Sequence, residues 1–148
     1  MADETRVSVE ADADMVKARA EGRALAARLG FSRTDATLVA TAISEVARNI
    51  IVHAGGGEIL MSAVYDDTRY GLVVVARDSG PGINDIGAAM QDGYGLPGGL
   101  GLGLPGAKRL MDEFHIESEV GNGTTVTMKK WRTRDELERL RERRSNGR

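Results

Sequence analysis

The sequence is constrained most by a glycine-rich run at residues 93–106, which reads GYGLPGGLGLGLPG and is half glycine. Each ordered glycine costs about 0.5–1 kcal/mol relative to alanine, so a run this dense is typical of backbone that must approach a ligand closely. The run leads into Pro105 and into apolar residues at helical spacing, which together predict a helix over 105–115. Because a helix N-terminus attracts anions, a glycine loop ahead of one predicts a phosphate-bearing ligand.

The bulk composition favours one globular domain without a nucleic-acid or membrane partner. The chain has 148 residues, a net charge of −2, 4% aromatic residues and no cysteine. The charge and the few aromatic residues argue against nucleic-acid binding, and the missing cysteines exclude disulfides and thiolate catalysis. The acidic N-terminus lacks an apolar signal region, and no stretch reaches the roughly 20 apolar residues of a membrane span. We therefore expect a cytoplasmic protein.

Apolar periodicity predicts the order of the secondary-structure elements. The predicted elements are a strand at 5–10, helices at 12–29 and 34–53, a strand hairpin at 58–65 and 70–77, helices at 83–92 and 105–115, and strands at 116–120 and 124–131. This order lacks the strand–helix alternation of a parallel sheet. It predicts an α+β fold, a two-layer sandwich with helices on one face of a mixed sheet. We expect one domain over 1–131 and a charged, partly helical or frayed tail over 132–148.

Four short motifs follow one another along this frame. Glu45 and Asn49 lie one turn apart, on one face of the second helix. The segment DSGPG at 78–82 ends a buried strand, GLGLG at 99–103 lies in the glycine run, and GNGT at 121–124 enters the last strand. Each glycine motif by itself is a weak indication, whereas all four in this order are specific.

This set of motifs resembles the GHKL (Bergerat) ATP-binding fold shared by gyrase, heat-shock chaperone ATPases, histidine kinases and MutL. Within that superfamily it is most similar to the RsbT type, the serine/threonine switch kinases of stress-response sigma-factor regulation. The resemblance is carried by ISEVARNIIVHAGGGEI, ARDSGPGI, GGLGLGLPGAKRLMDEF and GNGTTV, and it covers nearly all of residues 5–131. It implies ATP as the nucleotide and Mg²⁺ as its metal.

The resemblance assigns roles to the helix motif and to the strand-end motif. Asp78 would accept a hydrogen bond from the adenine amino group, while Gly80 and Gly82 let the backbone pass close to the base. Alone, an aspartate shortly before a glycine is more typical of a turn. Asn49 would offer its carbonyl oxygen to Mg²⁺, a weak site that needs the nucleotide phosphates as further ligands. Glu45 would orient or deprotonate the attacking hydroxyl, although a lone helical glutamate is more often a solvated side chain.

The remaining candidates belong to the phosphate and base surroundings. Gly99, Gly101 and Gly103 would wrap the phosphates with backbone N–H groups. Lys108 is near enough to the first turn of its helix to contact a phosphate, or it only solvates that helix. Thr124 would hydrogen-bond within the site, or it is simply a favourable strand residue.

The resemblance implies a serine/threonine protein kinase that moves the γ-phosphate of ATP to a STAS-domain antagonist protein. It also implies that the kinase holds its antagonist in a large complex, and that the released kinase binds and activates a PP2C-type phosphatase. One alternative is an ATP-binding anti-sigma factor that sequesters a sigma factor with little or no catalysis. Another is an ATPase fragment with slow turnover, because a single domain with an open lid excludes water poorly.

Overall fold

The computed structural model describes residues 4–83, 86–90 and 103–133, and these residues form one antiparallel sheet with helices packed against it. The strands are β1 (Glu4–Val9), β2 (Gly57–Tyr65), β3 (Arg69–Asp78), β4 (Glu113–Glu119) and β5 (Gly123–Thr133). The helices are α1 (Asp12–Arg28), α2 (Arg33–Ala54), α3 (Ile86–Ala89) and α4 (Gly103–Leu110). The strand order in the sheet is β1-β2-β3-β5-β4.

The two long helices begin and end where the sequence supplies suitable caps. At the start of α1 the Asp14 carboxylate accepts the Ala11 N–H at 3.1 Å, which satisfies a backbone donor at the helix N-terminus. The Ser32 hydroxyl accepts the Asp35 N–H at 3.0 Å at the start of α2. This helix ends at Gly55, whose φ of +76° is the left-handed conformation that glycine adopts readily.

The core lies between one face of the sheet and the helices. Alternate residues of four strands point into it and are almost fully buried: Val7, Val9, Ile59, Met61, Leu72, Val74, Val126 and Met128. The α2 stripe meets them with Val39, Ala42, Ile43, Val46 and Ile50. Helix α4 packs against α2 at the edge of this layer. No helix in the described part of the chain is long and apolar enough to cross a membrane.

The α+β architecture is as predicted, but the expectation of a mixed sheet is wrong. Every described strand pair is antiparallel. The reason is visible between β1 and β2, which are joined by the two helices α1 and α2. Two antiparallel helices cross the sheet twice, so the chain re-enters it in the direction opposite to β1.

The predicted helix over 105–115 begins earlier and ends earlier than expected. Helix α4 starts at Gly103 and stops at Leu110, and β4 takes over at Glu113. Phe114 satisfies a helical pattern with Ala107 and Leu110, but it also alternates with the charged residues of β4. Pairing with β5 makes this segment a strand, and the pairing begins where Glu113 lies opposite Lys129.

Two further predictions meet the limits of the described residues. Of the helix expected at 83–92, only 86–89 is helical among described residues, and positions 84, 85, 91 and 92 lie outside them. Strand β5 extends to Thr133, two residues past the predicted domain end, and residues 134–148 lie outside the description. The division at residue 131 stays a prediction.

Candidate active site

The Asp78 carboxylate is held at the end of β3, on the sheet face that carries the helices. It follows Leu72, Val74 and Ala76 in the alternation that points into the core. Its Oδ1 atom accepts two backbone N–H groups, from Gly80 at 3.0 Å and from Thr124 at 3.2 Å. Both of these bonds use one carboxylate oxygen, so the geometry leaves Oδ2 available as an acceptor for a ligand donor.

Two glycines bring the loop after Asp78 close to its protein neighbours. A Cβ atom on Gly80 would lie 2.6 Å from the Cβ of Ala54, at the end of α2. Gly82 has a φ of +77°, and a Cβ there would lie 2.3 Å from the Glu119 carbonyl oxygen. Packing against protein therefore explains both glycines, while their predicted closeness to a base stays a prediction.

The turn between β4 and β5 fixes this loop from the other side. Gly123 has a φ of +89°, and a Cβ there would lie 2.1 Å from the backbone oxygen of Asp78. The Ser118 hydroxyl accepts the N–H of Ile83 at 2.7 Å. The ends of β3, β4 and β5 are thus locked together around the Asp78 carboxylate.

Thr124 lies directly beside Asp78 and is buried, with 5% of its surface exposed. Its backbone N–H reaches the Asp78 carboxylate, and its Oγ1 lies 2.8 Å from the Ser118 hydroxyl. The structure therefore brings Asp78 and Thr124 together, as the motif order suggested. Contact between Thr124 and a nucleotide stays a prediction.

The Glu45 side chain connects α2 with the first residue of α4. Glu45 is 8% exposed, and its carboxylate accepts a hydrogen bond from the backbone N–H of Gly103. Gly103 adopts a φ of +54° as it opens α4. Glu45 thus occupies one of the amide donors that a helix N-terminus offers to an anion.

Burial sets the electrostatic character of Glu45. Loss of hydration raises the pKa of its carboxyl group above the ordinary value of 4.5, because water stabilises the charged form. The positive charge of Arg48 and the Gly103 N–H act in the opposite direction. A carboxylate with a raised pKa takes up a proton more readily near neutral pH, which suits a general base.

Asn49 lies one helical turn after Glu45 and is partly buried. It stands five residues before Ala54, about 7.5 Å along the α2 axis from the point where the Asp78 loop packs. No group of three acidic or histidine side chains that could hold a metal occurs within residues 4–83, 86–90 and 103–133. A metal at Asn49 would therefore need most of its ligands from a bound molecule and water.

The other predicted residues divide into those described and those not. Lys108 is exposed on α4, more than one turn from the Gly103 amide that contacts Glu45. Gly99 and Gly101 lie outside the described residues. Their predicted contact with phosphates therefore stays a prediction.

Ser118 is the residue that the sequence-based reasoning missed. It joins Ile83, Gly123 and Thr124 through its single hydroxyl. A signal was present in β4, where Phe114, Ile116 and Ser118 share the core-facing alternation and only the last is polar. A polar residue at a core-facing position indicates hydrogen-bond partners.

Comparison with known proteins places this geometry in a family. Residues 8–130 match the family model of the histidine kinase-like ATPase domain. The chain belongs to that family. It is 48% identical over 131 residues to the serine/threonine-protein kinase RsbT of Bacillus subtilis (strain 168), covering 88% of this chain and 98% of that protein. The predictions of a GHKL-type ATP-binding fold and of an RsbT-type serine/threonine kinase are both confirmed.

Two further matches are less similar in sequence. The anti-sigma F factor of Geobacillus stearothermophilus is 35% identical over 120 residues, covering 76% of this chain and 81% of that protein. Among solved structures, the mycobacterial sensor histidine kinase MprB matches 89% of this chain and 99% of its own, at 16% identity and a TM-score of 0.49. An ATP-binding domain with relatives in both kinases and sigma-factor regulators is consistent with a role in partner switching.

Proposed function

We propose that this protein transfers the γ-phosphate of ATP to a serine or threonine of a STAS-domain antagonist protein and so acts as a partner switch. The observation that carries the proposal is the position of the Glu45 carboxylate, buried and bonded to the first amide of α4. That position puts a proton acceptor at the end of the helix that attracts phosphate. The 48% identity to a serine/threonine-protein kinase supports the same activity.

Base recognition is assigned to the Asp78 end of the site. Because Asp78 Oδ1 is already engaged by two N–H groups, the carboxylate is fixed in orientation before a ligand arrives. Its Oδ2 atom would accept a hydrogen bond from the exocyclic amino group of adenine. A bond of this kind, with one charged partner, contributes about 1.5–3 kcal/mol.

Phosphate binding is assigned to the α4 end of the site. Gly99 and Gly101 would donate backbone N–H groups to the phosphates, and Gly103 would join them once its N–H leaves the Glu45 carboxylate that holds it here. Asn49 would contribute its amide oxygen to Mg²⁺. Asn49 supplies only one neutral oxygen ligand. This is enough for Mg²⁺ because the ion usually keeps several water molecules and binds substrate phosphates as its other ligands. The metal would supply charge neutralisation at the phosphates. The Lys108 side chain could add a further charge only if its long chain folds back towards the helix start.

The chemical step uses Glu45 as the proton acceptor. The oxygen of the partner's hydroxyl forms a bond to the γ-phosphorus, the bond to the β-phosphate oxygen breaks, and Glu45 takes the hydroxyl proton. The products are a phosphoserine or phosphothreonine and ADP. Positioning and charge stabilisation contribute most of the rate enhancement in such transfers, so the fixed Glu45 geometry matters more than its basicity alone.

The partner roles follow from the same resemblance. We propose that the kinase holds its antagonist in a large complex and that the released kinase binds and activates a PP2C-type phosphatase in the cytoplasm. Similarity to an anti-sigma F factor supports a second candidate, in which the protein binds a sigma factor with little catalysis. The two functions differ in whether the γ-phosphate of ATP is transferred to a partner protein.

The test is a mixed incubation with labelled ATP, Mg²⁺ and candidate STAS-domain proteins, followed by phosphosite mapping. We expect label on a single serine or threonine of one candidate, and loss of that label with Glu45→Gln, which keeps the size of the side chain. A parallel pull-down with sigma factor and PP2C-type phosphatase separates the two functions. Intact ATP binding with no transfer to any STAS protein, together with capture of a sigma factor, would replace the kinase with the anti-sigma function.

A further inference from the structure

The outer face of the sheet, turned away from the helices, carries apolar side chains in its middle. Val64, Val73, Val75 and Trp131 point to this face, because they alternate with core residues in β2, β3 and β5. These four residues, which we call the outer strip, are only partly buried. All four described helices contribute residues to the core on the opposite face. The outer strip therefore has no helix over it from the described part of the chain.

Strand pairing brings one end of the outer strip together. Val64 lies opposite Gly71, and Gly71 lies opposite Trp131, so two apolar side chains meet over a residue that has none. A Cβ atom on Gly71 would lie 2.7 Å from the Trp131 ring and 2.7 Å from Val64 Cγ1. The guanidinium carbon of Arg69 lies 3.9 Å from the centroid of the Trp131 ring. A contiguous apolar patch bordered by charged side chains is typical of an interaction surface.

The chain beyond β5 begins at this same end of the outer strip. Strand β5 ends at Thr133, and residues 134–148 follow it outside the described residues. They also lie beyond the segment 8–130 that matches the family model. Their sequence, RDELERLRERRSNGR, is rich in strong helix formers, and Thr133 followed by Glu136 has the spacing of a capping box. The sequence therefore predicts a helix over 134–144.

The predicted helix has an apolar side whose dimensions fit the outer strip. Leu137 and Leu140 are three residues apart and so share one face of a helix. A helix over 134–144 would be about 16 Å long. From Gly71 to Val75 the outer strip extends about 13 Å along β3. A helix that turns back along β5 would therefore bring both leucines over the valines of the strip.

The charges beside the outer strip also suit this segment. Glu113 and Glu117 of the edge strand β4 point to the outer face, because Phe114 and Ile116 take the core-facing positions between and beside them. On the predicted helix, Arg141 lies one turn after Leu137, next to the apolar side. Its positive charge can therefore approach the acidic border of the strip while the leucines contact the valines.

We propose that residues 134–148 fold back as an amphipathic helix that covers the outer strip. The occupant is this chain's own C-terminal segment, because it begins beside Trp131, has the length to span the strip and carries a fitting apolar side. The covered face lies opposite the helices and the proposed nucleotide site, so the contact does not depend on ATP binding. A second copy of the chain is the competing occupant, and the test distinguishes the two.

The test uses the single tryptophan of the chain as its probe. Acrylamide quenching of Trp131 fluorescence is measured for the wild-type chain and for Leu137→Gln combined with Leu140→Gln, a pair that keeps helix propensity similar. We expect stronger quenching in the variant. We also expect the equilibrium constant for unfolding in urea to rise by about 10- to 100-fold, because two leucines lose part of their burial. Arg139→Gln, on the opposite side of the predicted helix, is the matched control and should keep the wild-type quenching.

The outcomes decide which occupant covers the strip. Wild-type quenching in the folded leucine variant would overturn the proposal. Protection of Trp131 that grows with protein concentration, together with a dimer in light scattering, would assign the strip to a second copy and overturn it as well.

A cysteine pair tests the same contact if the leucine variant does not fold. The chain has no cysteine of its own, so Val73→Cys with Leu140→Cys should form an intramolecular disulfide on mild oxidation of the full chain. Val73→Cys with Arg139→Cys should form far less, because position 139 faces away from the sheet in the proposed arrangement. Equal disulfide yields from the two pairs would contradict the proposal.

Discussion

Replacing Asp78 with asparagine converts one ligand-facing oxygen into an NH₂ donor and leaves the rest of the side chain in place. The asparagine oxygen can still accept the N–H groups of Gly80 and Thr124, now at 3.0 and 3.2 Å from Asp78 Oδ1. The new NH₂ group would then face the adenine amino group, which is also a donor. The variant therefore separates ligand recognition from local structure.

The expected magnitude follows from the bonds that change. Loss of the charged hydrogen bond to adenine removes about 1.5–3 kcal/mol, which weakens ATP binding by about 10- to 150-fold. The hydrogen bonds from the Gly80 and Thr124 N–H groups keep their geometry, but their acceptor is no longer charged. We therefore expect the free energy of unfolding to fall by only about 1–2 kcal/mol.

The assay is calorimetric titration with Mg²⁺-ATP alongside urea unfolding. Asp66→Asn is a matched control, because Asp66 Oδ1 likewise accepts two backbone N–H groups, from Thr68 and Arg69, at the opposite end of β3. We expect both variants to lose some stability and only Asp78→Asn to lose ATP affinity. Equal ATP affinity in Asp78→Asn and the wild type would refute the assignment of Asp78 to the base.

Two further changes test other parts of the site. Burial raises the pKa of Glu45, so ionisation of this carboxyl group opposes folding and the native state gains stability as pH falls. In urea unfolding from pH 5 to pH 8, Glu45→Gln should therefore become more stable relative to wild type as pH rises. A constant difference in unfolding free energy between the two proteins across this pH range would contradict the burial argument. Gly123→Ala would place a Cβ atom 2.1 Å from the backbone oxygen of Asp78. Gly121 has a similar φ of +85°, but a Cβ atom added there would have no neighbour within 4 Å. The same unfolding assay should therefore show Gly123→Ala less stable than Gly121→Ala by about 1–3 kcal/mol, and equal losses would argue against a close approach.

Local patterns predicted much of the fold because they depend on residues near in sequence. The α2 stripe is an example, since Val39, Ile43, Val46 and Ile50 repeat at helical spacing and are all buried. The Gly55 stop and the tight turn before Gly123 are likewise local. Each depends on a few adjacent residues, and each lies where the pattern placed it.

The features that sequence reasoning could not supply depend on distant partners. The boundary between α4 and β4 is set by pairing with β5, because Phe114 fits both a helical and an alternating pattern. The Ser118 network joins Ile83, which is 35 residues away in the sequence. The contact of Glu45 with Gly103 likewise depends on how α4 packs against α2. The order of the motifs predicted which residues belong to the candidate site, whereas the hydrogen bonds among them depend on tertiary packing.

The central claim is that ATP binds between the Asp78 end of β3 and the Gly103 end of α4. Its most direct test is calorimetric titration of the folded wild-type protein with ATP in the presence of Mg²⁺. We predict a saturable heat with one nucleotide per chain. A sample shown to be folded by its circular dichroism that gives no binding heat over a range of temperatures would contradict the claim.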